Sequence, residues 1–438
     1  MTLCLLSLIN IPPIAAALAH QLDFKDLKDL ILVSHAFHDN LIPYMYQLPL
    51  QLSNPLQLSQ PPVLSDALAG IERYGGYLRD VGLSLRGPAD YRERLKEALN
   101  RYCRRLRVLH LNVTPLEILS SAPGSVVSLT RNNAGSLVEL MIVLEYPRKA
   151  PQLEEAWPLR FIENCRHLAV LHLSFQIRPH TLDTVLAFGR CCPSLVELQI
   201  KQLISLSRAD VHDSSLPIVA NHSSAVCSSS RISSNMAVAF LLLENLSVGE
   251  TDDTVLVQLV QHCPSLTSIS FGAICSSEVD LLVQTLARTC GCGKLKSFAI
   301  YQIFDSFDIP DEKLPQVDME RMLEGMARDF YQLESFDLMG FDVSEELLLT
   351  IAAFVGPRLT KLSICDSRSI PIEGVAALLT QCPRLRDVRF DLEQAPMDPR
   401  IIFREPWACS ATLERFTCPI GFRSDAEPED MIYGAPGH

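Results

Sequence analysis

Residues 106–111 read Leu106-Arg107-Val108-Leu109-His110-Leu111, an L-x-x-L-x-L segment. Alternation over these residues places the apolar side chains on one side of a short strand. The same frame, with apolar residues at offsets zero, three and five, returns along the chain. Upstream it stands at Leu78-Val81-Leu83, and downstream at Leu137-Leu140-Ile142, Leu168-Leu171-Leu173 and Leu195-Leu198-Ile200. It continues at Leu243-Leu246-Val248, Leu266-Ile269-Phe271, Leu295-Phe298-Ile300 and Leu333-Phe336-Leu338. Leu359-Leu362-Ile364, Leu385-Val388-Phe390 and Leu413-Phe416-Cys418 complete the series. Successive first positions are 28, 31, 31, 27, 48, 23, 29, 38, 26, 26 and 28 residues apart. Most steps lie within the range of a strand-plus-helix repeat.

A second regularity supports the frame. Cys103, Cys165, Cys192, Cys263, Cys292 and Cys382 each stand three residues before a leading leucine. Cysteine is 14 of 438 residues, so twelve such slots should hold about 0.4 by chance. This pattern resembles the cysteine-bearing leucine-rich repeat of F-box and related adaptor proteins. Between the strands, 183–191, 253–262, 278–289, 319–330, 345–355 and 372–381 are apolar at helical spacing. A strand and one helix cannot bury their apolar sides alone, but stacked copies can. The expected fold is an α/β solenoid: a leucine-rich-repeat right-handed superhelix of short parallel strands and helices over residues 48–422. The usual repeat carries Asn or Cys eight residues after the first leucine. Thr114, Gln176, Ile274 and Ser367 stand there instead. The side-chain ladder of that position is therefore expected to be missing, the repeats irregular and the curvature uneven.

Two steps are long. The 48-residue step holds a stretch rich in serine, Ser205 to Asn235, expected to be a mobile surface insertion at about 203–235. The 38-residue step holds an acidic loop, Phe304 to Asp318, with Pro310 and Pro315. Residues 423–438 are polar and read as a disordered tail.

Ahead of the repeats, residues 11–46 (IPPIAAALAHQLDFKDLKDLILVSHAFHDNLIPYMY) form a helical pattern. Pro12 and Pro13 can open a helix, Ile14, Leu18 and Leu22 share a face, and Asp23 or Asp26 can cap the next helix. So small a bundle has too little core to stand alone. The segment resembles an F-box of the kind found in many fungal repeat proteins. Ile11 and Pro12 match its leading Leu-Pro, followed by Ile14, Leu18 and Leu22. Asp26 and Leu27 match the Asp-Leu opening the next helix. Leu32, Val33, Ser34, His35, Ala36 and Phe37 match the run ending in tryptophan, with Ser for Cys and Phe for Trp. The resemblance implies a module at 1–47 whose Ile11, Pro12, Ile14, Leu18, Leu22, Asp26, Leu27, Leu32, Val33 and Phe37 bind a Skp-type adaptor and, through it, a cullin. It further implies a substrate-recognition adaptor of a ubiquitin ligase in the cytoplasm or nucleus. Alternatives are a cap on the first repeat, in a repeat scaffold that joins no ligase, and a secreted repeat protein.

The secreted alternative draws on an apolar stretch at residues 3–19 and on N-x-S/T triplets at Asn112, Asn221 and Asn245. The first twenty residues contain no Lys or Arg, however, and Pro12 and Pro13 interrupt the run, so no signal peptide is expected. No window carries 18 uninterrupted apolar residues, so no membrane span is expected. The formal charge of −13 and pI near 5.3 argue against nucleic acid as the main partner.

No catalytic constellation or cofactor site is expected. Gly291-Cys292-Gly293-Lys294 lacks the leading Gly and trailing Ser or Thr of a phosphate loop. Cys191-Cys192 and Cys290-x-Cys292 belong to repeat turns and have no C-x-x-C partner, and no G-x-S-x-G occurs. A protein partner is expected on the variable strand positions His110, His172, Glu197, Gln199, Ser268, Ser270, Asp337 and Ser363. The basic run Arg92, Arg94, Lys96, Arg101, Arg104, Arg105 and Arg107 reads as a solvated helix face or a patch for an acidic ligand.

Overall fold

The alternating segments become strands in the computed structural model, which describes residues 50–52, 61–84, 89–119, 124–144, 157–174, 180–203, 240–251, 253–273, 279–291, 293–302, 325–326, 329–340, 343–367, 371–392 and 407–417. The expected module at 1–47, most of the Ser-rich stretch, the acidic loop, most of the helix at 319–330 and the tail at 423–438 lie outside them. The chain divides into two compact units, residues 1–178 with 187–195, and residues 179–186 with 196–438.

The first unit carries β1 (Leu50–Leu52), β2 (Asp80–Ser84), β3 (Val108–Val113), β4 (Glu139–Leu144) and β5 (Val170–Ser174), each parallel to the next. Its helices are α1 (Pro61–Tyr74), α2 (Ala89–Tyr102), α3 (Pro115–Leu119), α4 (Val126–Asn133) and α5 (Leu159–Ile162); α6 (Leu182–Cys191) has residues in both units. The second unit carries β6 (Glu197–Leu203), β7 (Asn245–Thr251), β8 (Ser268–Ala273), β9 (Ser297–Gln302), β10 (Ser335–Met339), β11 (Lys361–Ser367), β12 (Asp387–Leu392) and β13 (Arg415–Thr417), again parallel and in chain order. Its helices are α7 (Asp253–Val260), α8 (Val279–Cys290), α9 (Glu345–Phe354) and α10 (Ile372–Gln381). This is an α/β solenoid of leucine-rich repeats. All twelve sequence frames coincide with strands β2–β13, and β1 adds a rung whose leading slot is the polar Gln47. The long steps are insertions within a repeat, because β6 pairs directly with β7 and β9 with β10.

The core follows from the frame. Leading leucines from Leu78 to Leu385 are at most 1% exposed, whereas Leu413 at the last rung is half-buried. The offset-three and offset-five residues from Val81 to Phe390 are buried as well, and aromatic side chains continue the column in the second unit. Phe271 meets Phe298 edge-on at 5.6 Å, and Phe298 stacks on Phe336 at 5.7 Å. α9 starts where Ser344 accepts a bond from the Leu347 N–H at 3.2 Å, with Glu345 and Glu346 in its first turn, as the helix dipole favours.

One backbone device joins rung to rung within each unit. The carbonyl one residue after the leading leucine accepts two N–H bonds from the following repeat. Val138 O, for instance, takes Ala169 N at 2.7 Å and Val170 N at 3.0 Å. Arg79, Arg107, Val196, Glu244, Thr267, Lys296, Glu334, Thr360 and Arg386 do the same. Hydroxyls reinforce this end of the strands: Ser136 Oγ donates to Leu106 O at 2.9 Å, Ser265 Oγ to Leu241 O at 2.7 Å and Thr360 Oγ1 to Glu334 O at 2.8 Å. Side-chain bonds thus run from rung to rung just before the strand. The most buried side chain making them is Asn133, which accepts from Leu106 N at 2.9 Å and donates to Cys103 O at 3.1 Å and Leu129 O at 2.9 Å. Irregularity is present as register shifts between Val248 and Glu250 and between Ile364 and Ser367.

The slot three residues before the leucine is buried in every described repeat but the last, where Ser410 fills it and the neighbouring Cys409 is the buried thiol. It holds Cys103, Cys165, Cys192, Cys263 and Cys382, but also Gly75, Ala134, Phe240, Phe330 and Gly356. A Cβ on Gly356 would meet Ala352 O at 2.1 Å and Cys382 Sγ at 3.0 Å, so glycine is required beside that thiol.

Two substitutions test this account by denaturant unfolding. Leu362→Ala, at a fully buried offset-three position, should cost about 2–5 kcal/mol. Asn133→Ala leaves a buried N–H and carbonyl unpaired and should cost about 2–4 kcal/mol.

Candidate binding face

Each strand buries offsets three and five, so offsets two and four point to the other side of the sheet. Register aligns these positions into rows. In the first unit one row runs Gly82, His110, Met141, His172, and the other Asp80, Val108, Glu139, Val170. In the second unit the rows run Gln199, Ser247, Ser270, Ala299, Asp337, Ser363, Arg389, Thr417 and Glu197, Asn245, Ser268, Ser297, Ser335, Lys361, Asp387, Arg415.

The eight residues expected to meet a partner fall on these rows. His110 and His172 share one row of the first unit, separated by Met141. Glu197, Gln199, Ser268, Ser270, Asp337 and Ser363 fall on the second unit; Gln199 is exposed and Glu197, Ser268, Ser270 and Asp337 are half-buried. Ser363 offers least, at 5% exposure, because its short side chain lies in register between the longer Asp337 and Arg389. Its hydroxyl lies 3.4 Å from Cys365 Sγ. The residues proposed for adaptor binding, Ile11 to Phe37, lie outside the described residues.

Beyond those eight, the rows also carry charged and large residues. His110 Nε2 lies 2.7 Å from Glu139 Oε1, and both side chains remain partly open. Burial raises the pKa of Asp80; Arg107 opposes that shift and Glu139 adds to it. In the second unit Arg415 pairs with Asp387 at 3.0 Å, and Met339 is 42% exposed at the strand end. For Asp80, Glu139, Asp387 and Arg415 the signal that could have found them is offset two, as outward-facing as offset four.

The basic run divides. Lys96 is buried, with Nζ 2.7 Å from Glu93, and Arg92 reaches Glu117 at 3.3 Å. Arg104, Arg105 and Arg107 are exposed after α2. Burial, then Arg105 and Arg107, hold the pKa of Arg79 below its ordinary value.

The nine described cysteines are free thiols. Burial pushes Cys103 and Cys382 up to about 12 and Cys165 and Cys290 up to about 11, and raises Cys192 and Cys263 further. A thiol this hard to ionise is a poor nucleophile and metal ligand. Cys165 and Cys263 instead lie within hydrogen-bonding distance of the carbonyls of Phe161 and Leu259, at 3.5 and 3.3 Å. Among the described residues no three His, Cys, Asp or Glu side chains converge as a metal site, and no helix is long and apolar enough to cross a membrane.

No family model matches the sequence, and no curated protein matches it. Among solved structures, the chain is similar to the leucine-rich repeat-containing protein LegL7 from Legionella pneumophila, at 11% identity and a TM-score of 0.36, over 77% of this chain and 92% of that one. It is also similar to a leucine-rich-repeat protein of Leptospira interrogans, at 12% identity and a TM-score of 0.31, over 81% and 79%. The fold assignment rests on the strand register described above.

Two measurements follow. Asp80→Asn should raise the melting temperature at neutral pH, because it removes a carboxylate whose charged form is disfavoured by burial. The gain should vanish as the pH falls below the ordinary carboxylate range, where wild-type Asp80 is neutral folded or unfolded. Alkylation of the native protein followed by peptide mapping should modify the half-buried Cys191 well before Cys103, Cys192, Cys263 or Cys382.

Proposed function

We propose that this chain is the substrate receptor of a Skp–cullin–F-box type ubiquitin ligase, residues 1–47 holding the adaptor and the open strand face holding a target protein. The observation that carries the reading is that face. It consists, in each unit, of register-aligned rows of partly exposed side chains that change from rung to rung on parallel strands. Such a surface recognises another protein by shape and mixed polar contacts. The chain does no chemistry itself in this reading: positioning raises the local concentration of a target lysine near the charged ubiquitin enzyme. The ligase component of the proposal is supported by the F-box resemblance of 11–46. Free buried thiols fit a reducing compartment, the cytoplasm or nucleus.

Co-purification of the full chain with a Skp-type adaptor tests the assignment. Wild type should retain the adaptor, and a Leu27→Asp/Phe37→Asp variant with an unchanged circular dichroism spectrum should lose at least about tenfold in affinity. A well-folded wild type that retains no adaptor would leave a repeat scaffold that joins no ligase.

A further inference from the structure

The second unit carries a cleft at the end of the strands where the helices return. Glu334, Arg358, Thr360, Arg384, Arg386 and Thr412 line about 370 Å³ of it. All six stand one residue before or after a leading leucine, at Leu333, Leu359, Leu385 and Leu413. The register that buries those leucines thus fans their neighbours over the edge of the sheet. Parallel rungs are about 4.8 Å apart, so Arg358 and Arg384, at the same position of adjacent repeats, are brought together as like charges. Like charges facing each other across a sheet repel.

The charge here is not neutralised locally. Glu334 is shared with Lys296 at 3.4 Å, and Arg386 reaches Glu414 only at 3.8 Å with both side chains about two-thirds exposed. Arg358 donates to the neutral Gln332, and Arg384 has no ion-pair partner among the described residues. Lys296, Arg358, Arg384 and Arg386 against Glu334 and Glu414 give 4 − 2 = +2, in a chain of formal charge −13. The threonines add no free donor, since Thr360 Oγ1 donates to Glu334 O and Thr412 Oγ1 to main-chain carbonyls such as Pro383 O at 2.9 Å. The free donors of the cleft are therefore guanidinium N–H groups, with the Glu334 carboxylate, paired with Lys296, at one side.

We propose that this cleft binds a phosphate-monoester dianion, held by Arg384 and Arg386 with Arg358 at its border. Guanidinium forks match the oxygens of a phosphoryl group in pairs. A phosphate monoester carries about −1.5 to −2 at neutral pH and so balances the local +2, which a single carboxylate does not. The proposal does not depend on the ligase reading. Two sources share this chemistry, a phosphorylated side chain of a partner protein and a free phosphate.

The test uses the full chain and three end-capped probes of the form Gly-Gly-X-Gly-Gly, with X phosphoserine, serine or glutamate, alongside inorganic phosphate, titrated by calorimetry at low salt. The phosphoserine peptide should bind, the serine peptide should not, and binding should weaken as the pH falls through about 6, where the dianion takes up a proton. Arg384→Gln and Arg386→Gln should each weaken it about five- to tenfold. Arg131→Gln, the same charge change at an exposed pair in the first unit, should leave it unchanged. A peptide tighter than inorganic phosphate would assign a protein-borne group, and equal affinity a free anion. No binding of either phosphate probe at millimolar concentration, equal binding of the glutamate peptide, or indifference to Arg384→Gln would overturn the proposal.

Discussion

Within each unit, the carbonyl that follows a leading leucine accepts two N–H groups of the next repeat, and the rest of the structure depends on that bond pair. It fixes where each strand begins relative to its neighbour. Once the start is fixed, offsets three and five of successive rungs fall on the same side, and within each unit a leucine period becomes a continuous core. The same registration aligns offsets two and four into rows on the open side, and the residues flanking each leucine into rows along the edge. A slip of one residue would exchange core and face, which a row of fully buried leucines forbids.

Much of this was legible in the sequence because the core signal and the repeat signal are the same residues. All twelve frames became strands, and the helices expected at 183–191, 253–262, 278–289, 345–355 and 372–381 appear with ends moved by two residues or fewer. β1 escaped because Gln47 occupies its leading slot. α2 is rich in Arg, Lys and Glu, which masks its thin apolar stripe, and α3 and α5 are too short to show a helical period. The cysteine column is a packing slot at Cys103, Cys165, Cys192, Cys263 and Cys382. That glycine must sit opposite Cys382, and that Cys290 and Cys409 are also fully packed, depends on neighbours a whole repeat away.

The face shows the same division between local and non-local information. Alternation says which side a residue faces, and it placed His110, Gln199 and Asp337 on the open rows. It does not say how deep a residue lies. Ser363 is nearly covered because Asp337 and Arg389 flank it from repeats 26 residues away on either side. The arginine-lined edge was invisible for the same reason: Arg358 and Arg384 are unremarkable singly, and only the register makes them neighbours. Net charge was a guide to the whole chain and not to this edge.

The direct pairing of β6 with β7 has a consequence for the stretch that joins them. The two ends of residues 204–239 are held one rung apart, so the entropy of closing that connection is already set by the sheet. The cost of lengthening a closed connection grows only with the logarithm of its length, about 0.6 kcal/mol per doubling. Because every rung touches only its neighbours, added chain there leaves the other rungs' contacts intact. The junction between β6 and β7 is thus a place where the solenoid can accept a grafted domain or reporter at small cost to its fold.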